Sequence, residues 1–180
     1  MAEEKKEKWN NYLAITTVII AVCATLSTFK GGGFSNKSLM SQTKASDQWS
    51  FFQSKSIKGY IFGMEKNNLE LQRDVVKADP KLKALVSTYD LKIADYQKKI
   101  DKYEQEKEQI SAEAKKFELE RDDCKLHSTA FGIAVIFLQI SILLSSIAAL
   151  TKIKYVWYTS LLLGAFGIVY FLNGFFLFFG

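Results

Sequence analysis

One proline in 180 residues leaves this chain very little with which to stop a helix. Two cysteines, Cys23 and Cys124, are too few for a disulfide scaffold, and Cys23 lies inside an apolar run where pairing with Cys124 is not expected. A single histidine, His127, excludes a metal centre built from several histidines within one chain. No glycine-rich phosphate loop and no paired-carboxylate pattern occurs, so the sequence offers no reaction centre. Most telling is where charge is missing: residues 126–151 and 155–180 contain no Asp, Glu, Lys or Arg.

What is present follows from that gap. A bilayer core about 30 Å thick needs roughly 20 apolar residues of helix. The two C-terminal stretches meet that length, and residues 12–29 just reach it. Three membrane spans are therefore expected, at 12–29, 129–151 and 155–179, with a short polar tail at 1–11. Val22 is bulky where a lipoprotein cleavage site needs a small residue, so 12–29 reads as a retained anchor rather than a removed leader. Lys5, Lys6, Lys8, Lys152 and Lys154 lie in the two short pieces that share one side of a three-span chain. The positive-inside rule then puts the N-terminus in the cytoplasm and residues 30–128 on the far, periplasmic side.

Between the spans, residues 30–128 hold 19 of the 24 basic and 16 of the 19 acidic residues, interleaved instead of forming a basic stripe, which sets nucleic acid aside and describes a solvated helical surface. Lys30-Gly31-Gly32-Gly33 is expected to break the first helix, and a second helix to run from about 39 to 78. Asp79-Pro80 marks the tip, because the residue before proline leaves helical geometry and proline suits a first helical turn. The next helix is expected over about 81–128. It carries a seven-residue repeat with Tyr89, Tyr96 and Tyr103 at d-like positions and Val86, Ile93 and Ile100 at a-like ones. The same phase continues through Ser128, Phe131, Val135, Leu138 and Ile142 into the second span, so one stiff helix is expected to pass from water into lipid, with roughly 70 Å outside.

The earlier helix shows a stripe of Ala45, Trp49, Phe52, Ser56, Gly59 or Tyr60, Gly63, Asn67, Leu71 and Val75. Gly59 and Gly63 are expected to admit the tyrosine row closely, and Lys44, Asp47, Lys55 and Lys58 to lie on the opposite side. An antiparallel coiled-coil hairpin results. A two-helix hairpin buries little surface for its length, which favours self-association. Inside the spans, Gln139 and Asn173 are amides expected to seek a neighbouring helix, and Ser141, Ser145 and Ala149, with Thr17, Ala21 and Thr25, form small-residue rows. Cys124 and His127 are one turn apart, but one of each falls short of a zinc ligand set.

Residues 44–58 read KASDQWSFFQSKSIK, preceded by a KWNNYLAITT anchor and followed by a charged helical middle and two C-terminal spans. This combination resembles a family of uncharacterised bacterial membrane proteins, the domain of unknown function 4337. The resemblance covers essentially the whole chain and implies a bacterial source and a cytoplasmic-membrane location. It implies no activity. For the block itself, three readings stand: helix or subunit packing, an interfacial helix with Trp49 in the headgroup layer and lysines on anionic lipid, or a ligand site around Asp47, Gln48 and Gln53.

The expectation is thus an all-α integral membrane protein with three transmembrane helices and a helical hairpin between the first and second. It is read as a non-enzymatic scaffold or accessory subunit without cofactor or metal. Its partners are membrane lipid and either further copies or a larger membrane complex. The interface residues are Trp49, Phe52, Gly59, Gly63, Tyr89, Tyr96, Tyr103 and Gln139. An oligomeric channel or transport component, its pore lined by Gln139, is the alternative.

Overall fold

The computed structural model describes residues 2–179, with side chains from Trp9 onward, and among these every regular element is a helix. Three long helices follow one another: α1 (Ala2–Ala78), α2 (Lys83–Thr151) and α3 (Lys154–Phe176). Each contains a stretch long and apolar enough to cross a membrane. The α1–α2 connection falls where the sequence places it. Asp79 is extended, with φ −98° and ψ 116°, and its carboxylate accepts the backbone N–H of Lys81 at 2.9 Å, opening a 3-10 turn over Pro80–Leu82. Lys152 ends α2 in the left-handed region, φ 60°, with its N–H on the Ala148 carbonyl at 2.9 Å. The lysines at positions 5, 6 and 8, on which the orientation argument leans, have side chains outside the described residues.

The break expected at Gly31–Gly33 does not occur; α1 runs through it without interruption. Each interior glycine costs a helix about 0.5–1 kcal/mol relative to alanine, and close packing at the first of them offsets this. A Cβ on Gly31 would stand 3.0 Å from the Phe131 Cβ, and Ser128 Oγ donates to the Gly31 carbonyl at 3.1 Å. A glycine triplet is a hinge only when nothing packs against it. Likewise α2 passes from Cys124 to Phe131 with no interruption.

The chain forms two compact units, one of Ser41–Leu119 and one combining residues up to Met40 with those from Glu120 onward. In the first unit, α1 and α2 run antiparallel, joined by Arg73 to Asp90, Lys66 to Gln97, Lys55 to Glu106 and Trp49 to Glu118. The covered positions of α2 are those of the expected repeat: Val86, Tyr89, Ile93, Tyr96, Ile100, Tyr103, Lys107, Ile110, Ala114 and Phe117. On α1 the register differs from expectation. Covered positions step by three and four through Ala45, Gln48, Phe52, Lys55, Gly59, Phe62, Lys66, Leu69, Arg73 and Val76. Asn67, Leu71 and Val75 instead face outward, the last two 69% and 73% exposed. The apolar stripe drifts off the true face because that face includes two lysines and an arginine, whose stems lie over the partner helix while their charged ends find polar partners.

The second unit is a three-helix bundle. Ile20, Ala24, Ala134 and Leu138 are buried together, with Ile142, Ile168 and Phe171 against them. From α3 the buried positions are small: Ser160, Gly164, Gly167, Asn173 and Gly174. Small residues on one face let helix backbones approach closely, which is how apolar helices associate when the hydrophobic effect gives no preference. Gly164, Gly167 and Gly174 do this against Ile20, Leu138 and Phe131, and sequence inspection passed over all three. At one end of the bundle Trp157 donates to Thr16 Oγ1 at 3.4 Å and meets Trp9 edge-on at 6.2 Å.

Candidate functional site

The block 44–58 lies on α1 and turns Trp49 and Phe52 toward α2, while Phe51 is exposed. Ala45 is 1% exposed, small enough for the helices to touch there. Trp49 donates its indole N–H to Glu118 Oε1 at 2.9 Å and meets Phe52 edge-on at 5.5 Å. Cations cap the rings along this contact: Lys44 over Phe117 at 5.4 Å, Lys107 over Phe52 at 5.5 Å and Lys55 over Tyr103 at 5.4 Å. Further along, Phe62 lies 5.6 Å from Tyr96 and stacks on Tyr103 at 5.8 Å, with Lys99 above both Phe62 and Tyr96. Tyr89 donates its hydroxyl to Gln72 Oε1 at 3.4 Å. Phe62 was absent from the expected face, yet it is the residue on which the tyrosine row rests. Its position one turn beyond the glycine at 59 was the available signal.

The two glycines behave differently. A Cβ on Gly59 would meet the Tyr103 Cβ at 3.9 Å, an ordinary contact, so Gly59 does face the tyrosine row. Gly63 would meet nothing within 4 Å and instead borders an open groove of about 350 Å3 with Tyr60, Met64, Asn67 and Ile100. Lys55, expected on the far side, is on the contact face with its amine 2.7 Å from Glu106 Oε2. Asp47 and Gln53 are exposed and Gln48 is half-buried. These three do not converge on a common point, because positions 47 and 53 project away from the face that holds 48.

The Lys55 hydrogen bond holds the Glu106 carboxyl below its ordinary value of 4.5, against a smaller opposing effect of burial. A carboxyl depressed in the folded state stabilises the fold above its unfolded pKa and loses that contribution as pH falls through the folded one. The melting temperature should therefore drop on acidification below pH 4.5, and Glu106→Gln should make that drop shallower. A variant that melts with the same pH slope as the parent would exclude this ion pair as the cause.

The buried serines of the bundle are satisfied locally, whereas the Trp9 indole N–H is buried without a hydrogen-bond partner. Ser141 donates to the Ser160 carbonyl at 2.7 Å, and the Ser145 and Ser160 hydroxyls lie 2.6 Å apart, all three fully buried. Ala148 completes that face in place of Ala149, and Thr25 points outward. Asn173 does not bond a neighbouring helix. Its Oδ1 accepts the Phe179 N–H at 2.8 Å and its Nδ2 reaches the Phe179 carbonyl at 3.4 Å, tying back the chain after Leu177 turns left-handed at φ 49°. Gln139 is exposed on the outside of the bundle.

Cys124 and His127 do not converge on a metal position. Cys124 is buried, and burial pushes its thiol above the ordinary value of 9.0, away from thiolate chemistry. His127 donates from Nδ1 to the Gly174 carbonyl at 2.8 Å and stacks on Phe34 at 4.5 Å, with Nε2 3.8 Å from Asp123. No group of three or more metal-ligating side chains occurs among the described residues.

No curated protein and no solved structure matches the chain. The family profile of DUF4337, a domain of unknown function, matches residues 9–177, and it is to this family that the chain belongs.

Proposed function

We infer that the chain is a non-enzymatic membrane scaffold or accessory subunit. Its three long apolar helices cross a bacterial inner membrane, and the paired stretches of α1 and α2 form a coiled-coil hairpin on the periplasmic side. The hairpin and the spans carry self-association or attachment to a larger membrane complex. The observation that supports this most is the use of the family block: Ala45, Trp49, Phe52, Lys55 and the facing tyrosines are all engaged in helix contact. Alternating three- and four-residue spacing on both helices is the geometry of left-handed supercoils.

A second reading, an oligomeric channel, draws on Gln139. An amide midway along an apolar helix, exposed on the outside of the single chain, calls for a partner from another helix in hydrocarbon. A ring of copies would supply one and would place Gln139 at a pore or at a contact between bundles. The mass of the particle purified from membranes in detergent tests the scaffold reading. A multiple of 20.5 kDa, or a stable complex with another protein, is expected. A bare single chain overturns it. Ion flux through liposomes that Gln139→Leu alters would move the assignment to the channel.

A further inference from the structure

The contact between α1 and α2 leaves a second apolar line on α1. Ile57, Ile61, Met64, Asn68, Leu71 and Val75 are all exposed, on the side of α1 opposite the one that meets α2. Their spacing is four, three, four, three and four, the same alternation as the covered face. Met64 and Val75 are each 73% exposed. Large apolar side chains in a regular line on a charge-rich segment are not the scattered surface hydrophobics of an ordinary soluble helix.

We propose that this outer line of α1 is a parallel two-stranded coiled-coil interface with the same line of a second copy. The proposal rests on the self-association reading above and names the surface responsible. Two observations favour this occupant. First, the residue types fit the known preference: Ile61 and Val75 at a-type positions with Leu71 at a d-type one suit two parallel strands, and Ile57 and Met64 fill the other d-type positions. The one polar member, Asn68, is at an a-type position, where a single asparagine specifies register and strand number by pairing with its counterpart. Its Oδ1 already accepts from Gln72 at 3.4 Å, which leaves the amide N–H groups to face outward.

Second, charge permits it. None of the six residues is ionisable, so bringing each beside its own copy creates no like-charge repulsion. The flanking positions pair Tyr60 with Glu65 and Asn67 with Gln72 across a parallel dimer, again without like charges. The outer face of α2 is the opposite case: Lys98, Asp101, Lys102 and Glu108 are exposed there and would meet themselves. Of the two outer faces only that of α1 tolerates its own image.

Single cysteines test this in membranes, on the otherwise unaltered chain. Cys124 is buried and Cys23 lies in the first apolar stretch, so the parent is the baseline. Under mild oxidation Met64→Cys and Leu71→Cys are expected to give a covalent dimer, while Lys98→Cys and Gln105→Cys on the outer face of α2 give none. The paired change Met64→Glu with Leu71→Glu should halve the particle mass without altering helix content, since both side chains are exposed in the single chain. Cross-linking from α2, or an unchanged mass in the glutamate pair while the parent remains oligomeric, sinks this interface and leaves self-association standing. A monomeric parent sinks both.

Discussion

Phe131→Ala is expected to destabilise the bundle by about 3 kcal/mol, the low end of the range for emptying a phenylalanine site. The low end applies because, in the membrane reading, separated helices keep their apolar surface in lipid rather than water, so the transfer part of the loss shrinks and the cavity part remains. The site is well placed for a large cavity. Phe131 is fully buried, meets Phe175 edge-on at 5.0 Å and Phe171 at 6.1 Å, and stacks beside Phe34 at 6.0 Å. Gly31 and Gly174 leave room for the ring, a Cβ on the latter lying 2.7 Å from it. Neither glycine has a side chain to fill the space left behind. Unfolding in a denaturing detergent series, followed by circular dichroism, measures the loss. A midpoint equal to that of the parent would mean this aromatic cluster does not hold the three helices together.

The sequence exposes the helices and conceals part of their contacts. Charge-free stretches, a lone proline and a seven-residue repeat were enough to place α2, α3 and the turn at Asp79-Pro80, whereas α1 was expected as two helices with a break at Gly31–Gly33. The repeat on α2 was legible because its covered positions are mostly apolar. On α1 the covered positions include Lys55, Lys66 and Arg73, and nothing in a one-dimensional pattern shows that Glu106, Gln97 and Asp90 are there to receive them. Reading by hydrophobicity therefore followed Leu71 and Val75 onto the outer face. That error located a second apolar line rather than the first.

The glycines were misread in both directions for one reason. Gly31–Gly33 looked like a hinge and Gly63 like a close approach, since composition shows that a side chain is missing but not what stands opposite. Gly31 turned out to face Phe131, and Gly63 open space. Asn173 was hidden differently: its partner is Phe179, six residues ahead, and only the left-handed turn at Leu177 brings that backbone within reach.

Gly167→Ala is the sharper test of how the bundle closes. A methyl group there would lie 2.7 Å from both Cγ and Cδ2 of Leu138 and 3.1 Å from the Leu138 backbone nitrogen. Leu138 is fully buried among Ile20, Ala24 and Ala134, so its side chain has no space to swing away, and the backbone cannot yield without moving α2. Overpacking of this kind costs about 1–3 kcal/mol. Gly132→Ala supplies the control, because a methyl at that position meets nothing within 4 Å. Both changes bring the same gain in helix propensity, about 0.5–1 kcal/mol, so the difference between their unfolding midpoints isolates the steric contact. Gly164→Ala should fall between them: its nearest neighbour at 2.8 Å is the Cδ1 end of Ile20, which can rotate, although Ser141 Oγ at 2.9 Å is held by its hydrogen bond to Ser160. The expected order of stability is Gly132→Ala, then Gly164→Ala, then Gly167→Ala. Equal midpoints for the first and last would mean that α3 does not press on Leu138, and the small-residue face of α3 would lose its part in closing the bundle.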